Sequence, residues 1–158
     1  IGVILVSLIF SKQHKLNHFI FLDLVSLSAP IGIFFGRIAN FINSELYGRE
    51  TDFFLSVKFI TIDNLKRHPS QIYEAFFEGI VLFLLLGYFA KKNYLKNPGL
   101  ISSMFLIFYS LFRFMMEFFR NPDPQIGYIA LNLTLGQFIS FIFLVLGGIL
   151  FFYKKNDN

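Results

Sequence analysis

Four long apolar runs constrain this chain more than anything else in it: Phe19–Ile42, Ile72–Ala90, Leu100–Phe119 and Leu133–Tyr153. A helix needs about 20 mostly apolar residues to cross the hydrocarbon core of a bilayer, and each run has that length. A further run, Ile1–Phe10, has the length of a helix end. So many runs in 158 residues leave too little polar surface for a soluble domain, which ordinarily carries about a quarter charged residues. Here 15% are charged and 55% hydrophobic, 24 of them phenylalanine. The expected fold is all-α. It is a polytopic integral membrane helix bundle with four full transmembrane helices plus the end of a fifth, forming a single membrane domain over residues 1–158. Because the chain opens at Ile1 inside an apolar run, it reads as the C-terminal part of a longer protein. The absence of cysteine removes disulfides, thiolate metal sites and a cysteine nucleophile from consideration.

The links between the runs set the expected orientation. Seven of the nine lysines, all but Lys58 and Lys66, fall in the turn after Phe10 (Lys12, Lys15), the Lys91–Pro98 link (Lys91, Lys92, Lys96) or the tail (Lys154, Lys155), against one acid, Asp157. The positive-inside rule puts these segments, and the C-terminus, in the cytoplasm. The 29-residue stretch Asn43–Gln71 and the short Arg120–Asn132 loop then face outward. The basic residues are spread over loops rather than gathered in one stripe, so the formal charge of +4 implies no nucleic-acid site. Gly32 and Gly36 form a small-xxx-small pair expected to let another helix approach. Pro69 reads as a first-turn proline, with Gln71 reaching back to the helix cap. The apolar patches of "DFFLSVKFITI" suggest a short amphipathic or strand-like element near the membrane surface.

Charges at bilayer depth are the informative ones, since each costs about 2.5–3.5 kcal/mol on insertion scales. Arg37, Glu74, Glu78, Arg113 and Glu117 all lie toward the outward ends of the runs. Tyr109, Arg113 and Glu117 stand at i, i+4 and i+8 and share a helix face, with Arg120 close to it; Glu74 and Glu78 are four apart. Arg37 and Asn40 are three apart, with Asn43 and Glu45 just beyond. Three helices thus point polar faces toward one pocket. Two guanidinium groups there match the oxygens of a phosphate, and nearby carboxylates can hold them in place or accept a proton. Each residue also has a plain structural reading. Arg37 can snorkel to headgroups, Arg113 and Glu117 can be an intrahelical ion pair, and Glu74 and Glu78 can answer a helix dipole. His68 can be a loop residue, Asp23 can cap or fray the start of its own span, and the tyrosines can form an interfacial belt.

Three segments, "GRIANFINSELYGRET", "RHPSQIYEAFFEG" and "FRFMMEFFRNPDPQIG", with the closing "LTLGQFISFIFLVLGG", resemble the prolipoprotein diacylglyceryl transferase family in order and spacing over nearly the whole chain. The resemblance implies a multi-pass enzyme of the bacterial cytoplasmic (inner) membrane with its active site toward the periplasmic side. It would transfer the diacylglyceryl group of phosphatidylglycerol to the lipobox cysteine thiol of a prolipoprotein, forming a thioether and releasing glycerol phosphate. The implied partners are that lipid, the prolipoprotein signal peptide and the bilayer; no metal or other cofactor is implied. The signature arginine maps to Arg37, with Asn40, Glu45 and Gly48 in the same motif, and the later essential arginine maps to Arg113, flanked by Tyr109 and Glu117. Ala39 stands where the family usually has glycine. The family has about seven spans, and its histidine–glycine–glycine segment is expected before Ile1, so the chain by itself is expected to be inactive or badly impaired.

The joint expectation assigns catalysis to Arg37, Arg113, Asn40, Glu117 and Tyr109. Substrate binding is assigned to Arg37, Asn43, Glu45, Gly48, His68, Ser70, Gln71 and Glu74, with Asn40, Asn43 and Glu45 orienting the headgroup and the arginines. The thiolate comes from the substrate. Its base is expected in the preceding segment, with Glu117 or His68 as weaker candidates. A transporter or channel is the alternative, but it calls for polar residues along the whole of a span, and "VLFLLLGYFA" and "FIFLVLGGILFFY" have none. A non-catalytic phospholipid-binding membrane subunit is the other alternative.

Overall fold

The computed structural model describes residues 2–122, 127–130 and 133–156; the centre of the expected Arg120–Asn132 loop and Asp157 lie outside the described residues. Helix α1 (Gly2–Gln13) is followed by a tight turn and α2 (His18–Ile42). Asn17 caps α2, its Oδ1 accepting from Phe19 N at 2.9 Å, as a short polar side chain does at an N-terminus. A loop carries a two-residue antiparallel pair, β1 (Val57–Lys58) with β2 (Lys66–Arg67). Then comes one continuous rod, Ser70–Lys91. It consists of α3 (Ser70–Glu74), a π-helical segment (Ala75–Val81) and α4 (Leu82–Lys91). Helix α5 (Leu100–Met116) leads to strands β3 (Tyr128–Ala130) and β4 (Leu133–Thr134), and α6 (Leu135–Asn156) ends the described chain.

Among the described residues, three helices are long and apolar enough to cross a membrane: α2, the Ser70–Lys91 rod and α6. The fourth expected run forms a shorter apolar helix, α5, which stops at Met116 after 17 residues rather than at Phe119. Backbone competition explains the early stop. The Phe119 carbonyl accepts from Arg49 N at 2.9 Å, and Asn121 N donates to the Tyr47 carbonyl at 3.2 Å. Chain leaving α5 is therefore zipped to the outgoing end of the α2 loop. Similarly α6 starts at Leu135 and not Leu133, since Leu133–Thr134 pairs with β3.

Packing follows glycines other than those expected. A Cβ on Gly32 or Gly36 would meet nothing within 4 Å among the described residues. Close approach occurs instead at Gly79, where a Cβ would lie 2.7 Å from Phe34 Cβ, and at Gly147, 2.9 Å from Leu106 Cβ. Gly79 thus seats α2 on the rod, and Gly147 seats α6 on α5. The apolar core of Leu82, Leu86, Ile101 and Met104 occupies the half of the bundle where α4 and the start of α5 meet. Near it, Asp23 departs from expectation. It is 1% exposed and caps α5 rather than its own helix, accepting from Gly99 N at 2.8 Å and Ser102 N at 2.7 Å. The first-turn amides of α5 are orphan donors that must find an acceptor, and Asp23 supplies both oxygens.

Candidate functional site

Glu74 and Glu78 are fully buried on the N-terminal half of the rod. In a low-dielectric setting an unpaired carboxylate is prohibitively costly, and both are paired. Arg37, on α2, places Nη1 3.0 Å from Glu74 Oε2 and Nη2 3.1 Å from Glu78 Oε2. Arg113, on α5, places Nη1 2.7 Å from Glu74 Oε1 and 3.9 Å from Glu78 Oε1, while its Nη2 lies 2.6 Å from Glu117 Oε2. Glu74 therefore bridges two guanidinium groups from separate helices. Tyr109, one turn before Arg113, lies within electrostatic reach of Glu78, Arg113, Arg37 and Glu74.

A second tier fixes Glu117. Thr134 Oγ1 donates to Glu117 Oε1 at 3.0 Å. Thr134 and Gln137 bond reciprocally: Thr134 N donates to Gln137 Oε1 at 3.1 Å and Gln137 N to Thr134 Oγ1 at 3.3 Å. This is a capping box at the start of α6 whose threonine hydroxyl also orients a carboxylate of the charged centre. Gly136 makes room for that carboxylate; a Cβ there would sit 2.8 Å from Glu117 Oε1.

The remaining expected residues form a collar around the end of the bundle instead of joining the charges. Among the described residues, no hydrogen bond or ion pair links the side chains of Asn40, Asn43 or Glu45 to either arginine, so the expectation that they orient the arginines is corrected. The carboxylates of Glu74, Glu78 and Glu117 do that, because only a buried counter-charge compensates a buried guanidinium. Asn43 closes the C-terminus of α2 through its backbone, and the Asn40 carbonyl accepts from Glu45 N at 2.8 Å. Gln71 does not reach its own helix cap; its Nε2 donates to the Glu45 carbonyl at 2.6 Å, while Ser70 Oγ donates to the Leu46 carbonyl at 3.1 Å. Gly48 N donates to the His68 carbonyl at 3.1 Å, and a Cβ on Gly48 would collide with that same oxygen. His68 Nδ1 lies 3.4 Å from Tyr73 Oη, and burial pushes its imidazole pKa down.

Two arginines outside the expected site complete the geometry. Arg67 ties the collar together, donating to Asp63 Oδ2 at 2.7 Å and the Gly48 carbonyl at 3.3 Å, with its guanidinium 4.9 Å above the Tyr47 ring. Its bond to Asp63 holds that carboxyl below the usual range. Arg120 lines a cavity of about 170 Å³ together with Arg113, Glu117, Thr134 and Gly136. Burial, then the positive charge of Arg113, push its guanidinium pKa down, while Glu74 and Glu117 oppose this. Two guanidinium groups face three carboxylates at the centre, and Arg120 brings the formal charges level. Its place one turn beyond Glu117 was the available signal for it. Arg37 does not line this cavity; Arg113 is the member shared by the ion network and the open space.

Known proteins match the chain in the same segments. A family model described as prolipoprotein diacylglyceryl transferase matches residues 1–153. A phosphatidylglycerol--prolipoprotein diacylglyceryl transferase of Rickettsia bellii (strain OSU 85-389) is 55% identical over 148 residues, covering 93% of this chain and 56% of that protein. Proteins of the same name from Rickettsia akari (strain Hartford) and Rickettsia felis (strain ATCC VR-1525 / URRWXCal2) are 52% and 50% identical over 151 residues, each covering 95% of this chain and 58% of the relative. The chain thus spans a little over half the length of the curated relatives it matches. With the match running through the helices that carry Arg37, Glu74 and Arg113, the chain belongs to the prolipoprotein diacylglyceryl transferase family.

Proposed function

We propose that this chain supplies the headgroup-binding half of a phosphatidylglycerol–prolipoprotein diacylglyceryl transferase in the bacterial cytoplasmic membrane. Helix α5 crosses as a fourth span, with the lysine-bearing links and the C-terminus in the cytoplasm and the 29-residue Asn43–Gln71 loop on the periplasmic side. One observation carries the reading: Arg113 is held by Glu74 and Glu117 while also lining an open cavity beside Arg120. A phosphodiester entering there meets guanidinium donors already oriented by carboxylates, with Arg37 one carboxylate behind. Such preorganised charge costs no reorganisation when negative charge develops.

In the complete protein the sulfur of a lipobox cysteine attacks the glyceryl carbon bonded to phosphate. The C–S bond forms as the C–O bond breaks, and the electron pair departs with glycerol phosphate. Arg37 and Arg113 stabilise that departing charge, and Tyr109 and Glu117 shape the donor face. The collar residues Asn40, Asn43, Glu45, Gly48, His68, Ser70 and Gln71 define the mouth through which the headgroup enters. The thiol proton passes to a base that this chain need not supply. The test is a lipid-transfer assay with the full-length protein, phosphatidylglycerol and a lipobox peptide, read by the peptide's mass. Arg37→Ala and Arg113→Ala are expected to abolish the mass increase while the protein stays in the membrane. Normal transfer by either variant removes that arginine from the mechanism.

A further inference from the structure

The loop between α2 and the rod carries the most exposed large apolar side chains outside any helix: Phe54 is 82% and Ile60 84% exposed. Their neighbours Phe53, Leu55 and Ile62 are also exposed. A loop in water seldom gathers a contiguous apolar patch without a partner for it. The loop is not loose. Phe59, beside Ile60, is buried and packs against Phe41 in the last turn of α2 and against Tyr47, with ring centroids 5.7 and 6.1 Å apart. Strands β1 and β2 pair Val57 with Arg67 and Lys58 with Lys66. Further on, Gly48 and Arg49 are bonded to the backbones of His68 and Phe119.

These anchors fix a level. The end of α2, where Ile42 is still 74% exposed, is where a spanning helix leaves the hydrocarbon. Phe59 holds Ile60 beside that turn, so the apolar tips lie at the depth where acyl chains meet headgroups. Charge fits the same place. Arg67 is paired with Asp63 and lies 3.6 Å from Glu50. Among the charges left in the hairpin, Lys58 and Lys66 outnumber Asp52.

We propose that this hairpin is a membrane-inserted anchor: Phe54 and Ile60 enter the acyl boundary of the leaflet at that end of α2, and Lys58 contacts anionic headgroups. The reading rests on α2 crossing a bilayer and not on any transfer activity. Apolar side chains at the interface combined with cations toward anionic lipid are the two components of interfacial binding.

This chain contains no tryptophan, so Phe54→Trp and Ile60→Trp each add one reporter. The variants are made in the full-length protein, reconstituted in phosphatidylcholine–phosphatidylglycerol vesicles, and read as difference spectra against the parent. The expected result is blue-shifted emission, quenched several-fold by lipids brominated high on the acyl chain and less by lipids brominated near the terminal methyl. Adding Lys58→Glu to Ile60→Trp is expected to weaken quenching in phosphatidylglycerol vesicles and leave it unchanged in pure phosphatidylcholine. Red, unquenched emission overturns the proposal by placing the loop in water. Blue-shifted emission indifferent to bromine overturns it by showing that polypeptide covers the loop. Lipid transfer is not part of either readout, so the anchor and the proposed activity can fail separately.

Discussion

Arg37 and Arg113 stand on different helices and are held by the two oxygens of one carboxylate, that of Glu74, at 3.0 and 2.7 Å. Removing one partner of a buried pair leaves an uncompensated charge, at about 3–5 kcal/mol. Glu74→Ala takes one counter-charge from two guanidinium groups at once, leaving Arg37 to Glu78 and Arg113 to Glu117, and is expected to destabilise by about the lower end of that range. Glu74→Gln keeps one acceptor and costs less. Thermal unfolding of the full-length protein in detergent reads the difference; equal midpoints for the two variants would mean that the carboxylate charge does not organise the arginines.

Thr134 acts on Arg113 through Glu117 and is a positioning residue. A hydrogen bond to a charged acceptor contributes about 1.5–3 kcal/mol. If that energy holds Arg113 in its working pose, Thr134→Val lowers transfer by about 10- to 100-fold. Thr134→Ser, which keeps the hydroxyl, is expected to restore most of it. Rescue separates positioning from packing, because serine lacks the methyl group that valine retains. A serine variant as slow as the valine one would assign Thr134 to packing.

Gly48 is required by space alone, without positive φ. An added Cβ would meet the His68 carbonyl oxygen and, at 2.8 Å, the Phe119 carbonyl oxygen. Both are backbone atoms held by hydrogen bonds from Gly48 N and Arg49 N, and neither can step aside cheaply. Gly48→Ala is expected to separate the end of α5 from the loop, seen as faster proteolysis between residues 44 and 68. Gly87→Ala, where a Cβ meets nothing within 4 Å, serves as the control with unchanged proteolysis.

The long apolar runs and the clustering of charge at one end of them were legible because hydropathy and i, i+4 spacing are local properties. That Arg113 and Glu117 face one way follows from one helix, and their 2.6 Å pair agrees. What spacing does not contain is which carboxylate meets which arginine. Glu74 joins Arg37 and Arg113 across separations of 37 and 39 residues, and that depends on how α2 and α5 sit against the rod. The same limit applies to Gln71. Its short-range partner was its own helix cap, but an orphan carbonyl at Glu45 lay closer in space. Leu133–Thr134 read as helix from hydropathy, yet Thr134 serves better as a cap.

Burial depresses the His68 pKa below its ordinary value near 6.5. The folded protein therefore holds this imidazole neutral where the unfolded chain binds a proton. Stability from His68 is complete above about pH 6.5 and is lost as pH falls through the depressed folded value. Asp63, held low by Arg67, adds loss in the same direction at lower pH, beginning below the ordinary carboxylate pKa. Protection of the loop amides against hydrogen exchange, corrected for intrinsic rates, is expected to fall between pH 7 and pH 5. The His68→Gln variant should lose this step and keep the later one. A step of equal size in the variant would assign it to another group.

Asp23 offers the sharpest test of the end of the bundle opposite the charged centre, because its two oxygens serve two different amides of another helix. Asp23→Asn keeps one acceptor oxygen and presents an NH₂ to the second amide, while Asp23→Ala removes both bonds. An unsatisfied buried donor costs about 1–3 kcal/mol, so alanine exposes two such penalties and asparagine about one, plus the repulsion of facing donors. Gly99 reports on the same junction independently. Its φ of +102° lies in the region that disfavours side chains, and a Cβ there would press on the Phe19 ring at 3.0 Å and the Lys154 stem at 3.1 Å. Asp23→Ala and Gly99→Ala are therefore expected to destabilise through one event, detachment of the first turn of α5 from α2. Combined in one chain, they should cost clearly less than the sum of their separate effects, since the second change acts on a turn already released. Additive losses in thermal unfolding of the full-length protein would show that the aspartate and the glycine stabilise separate features.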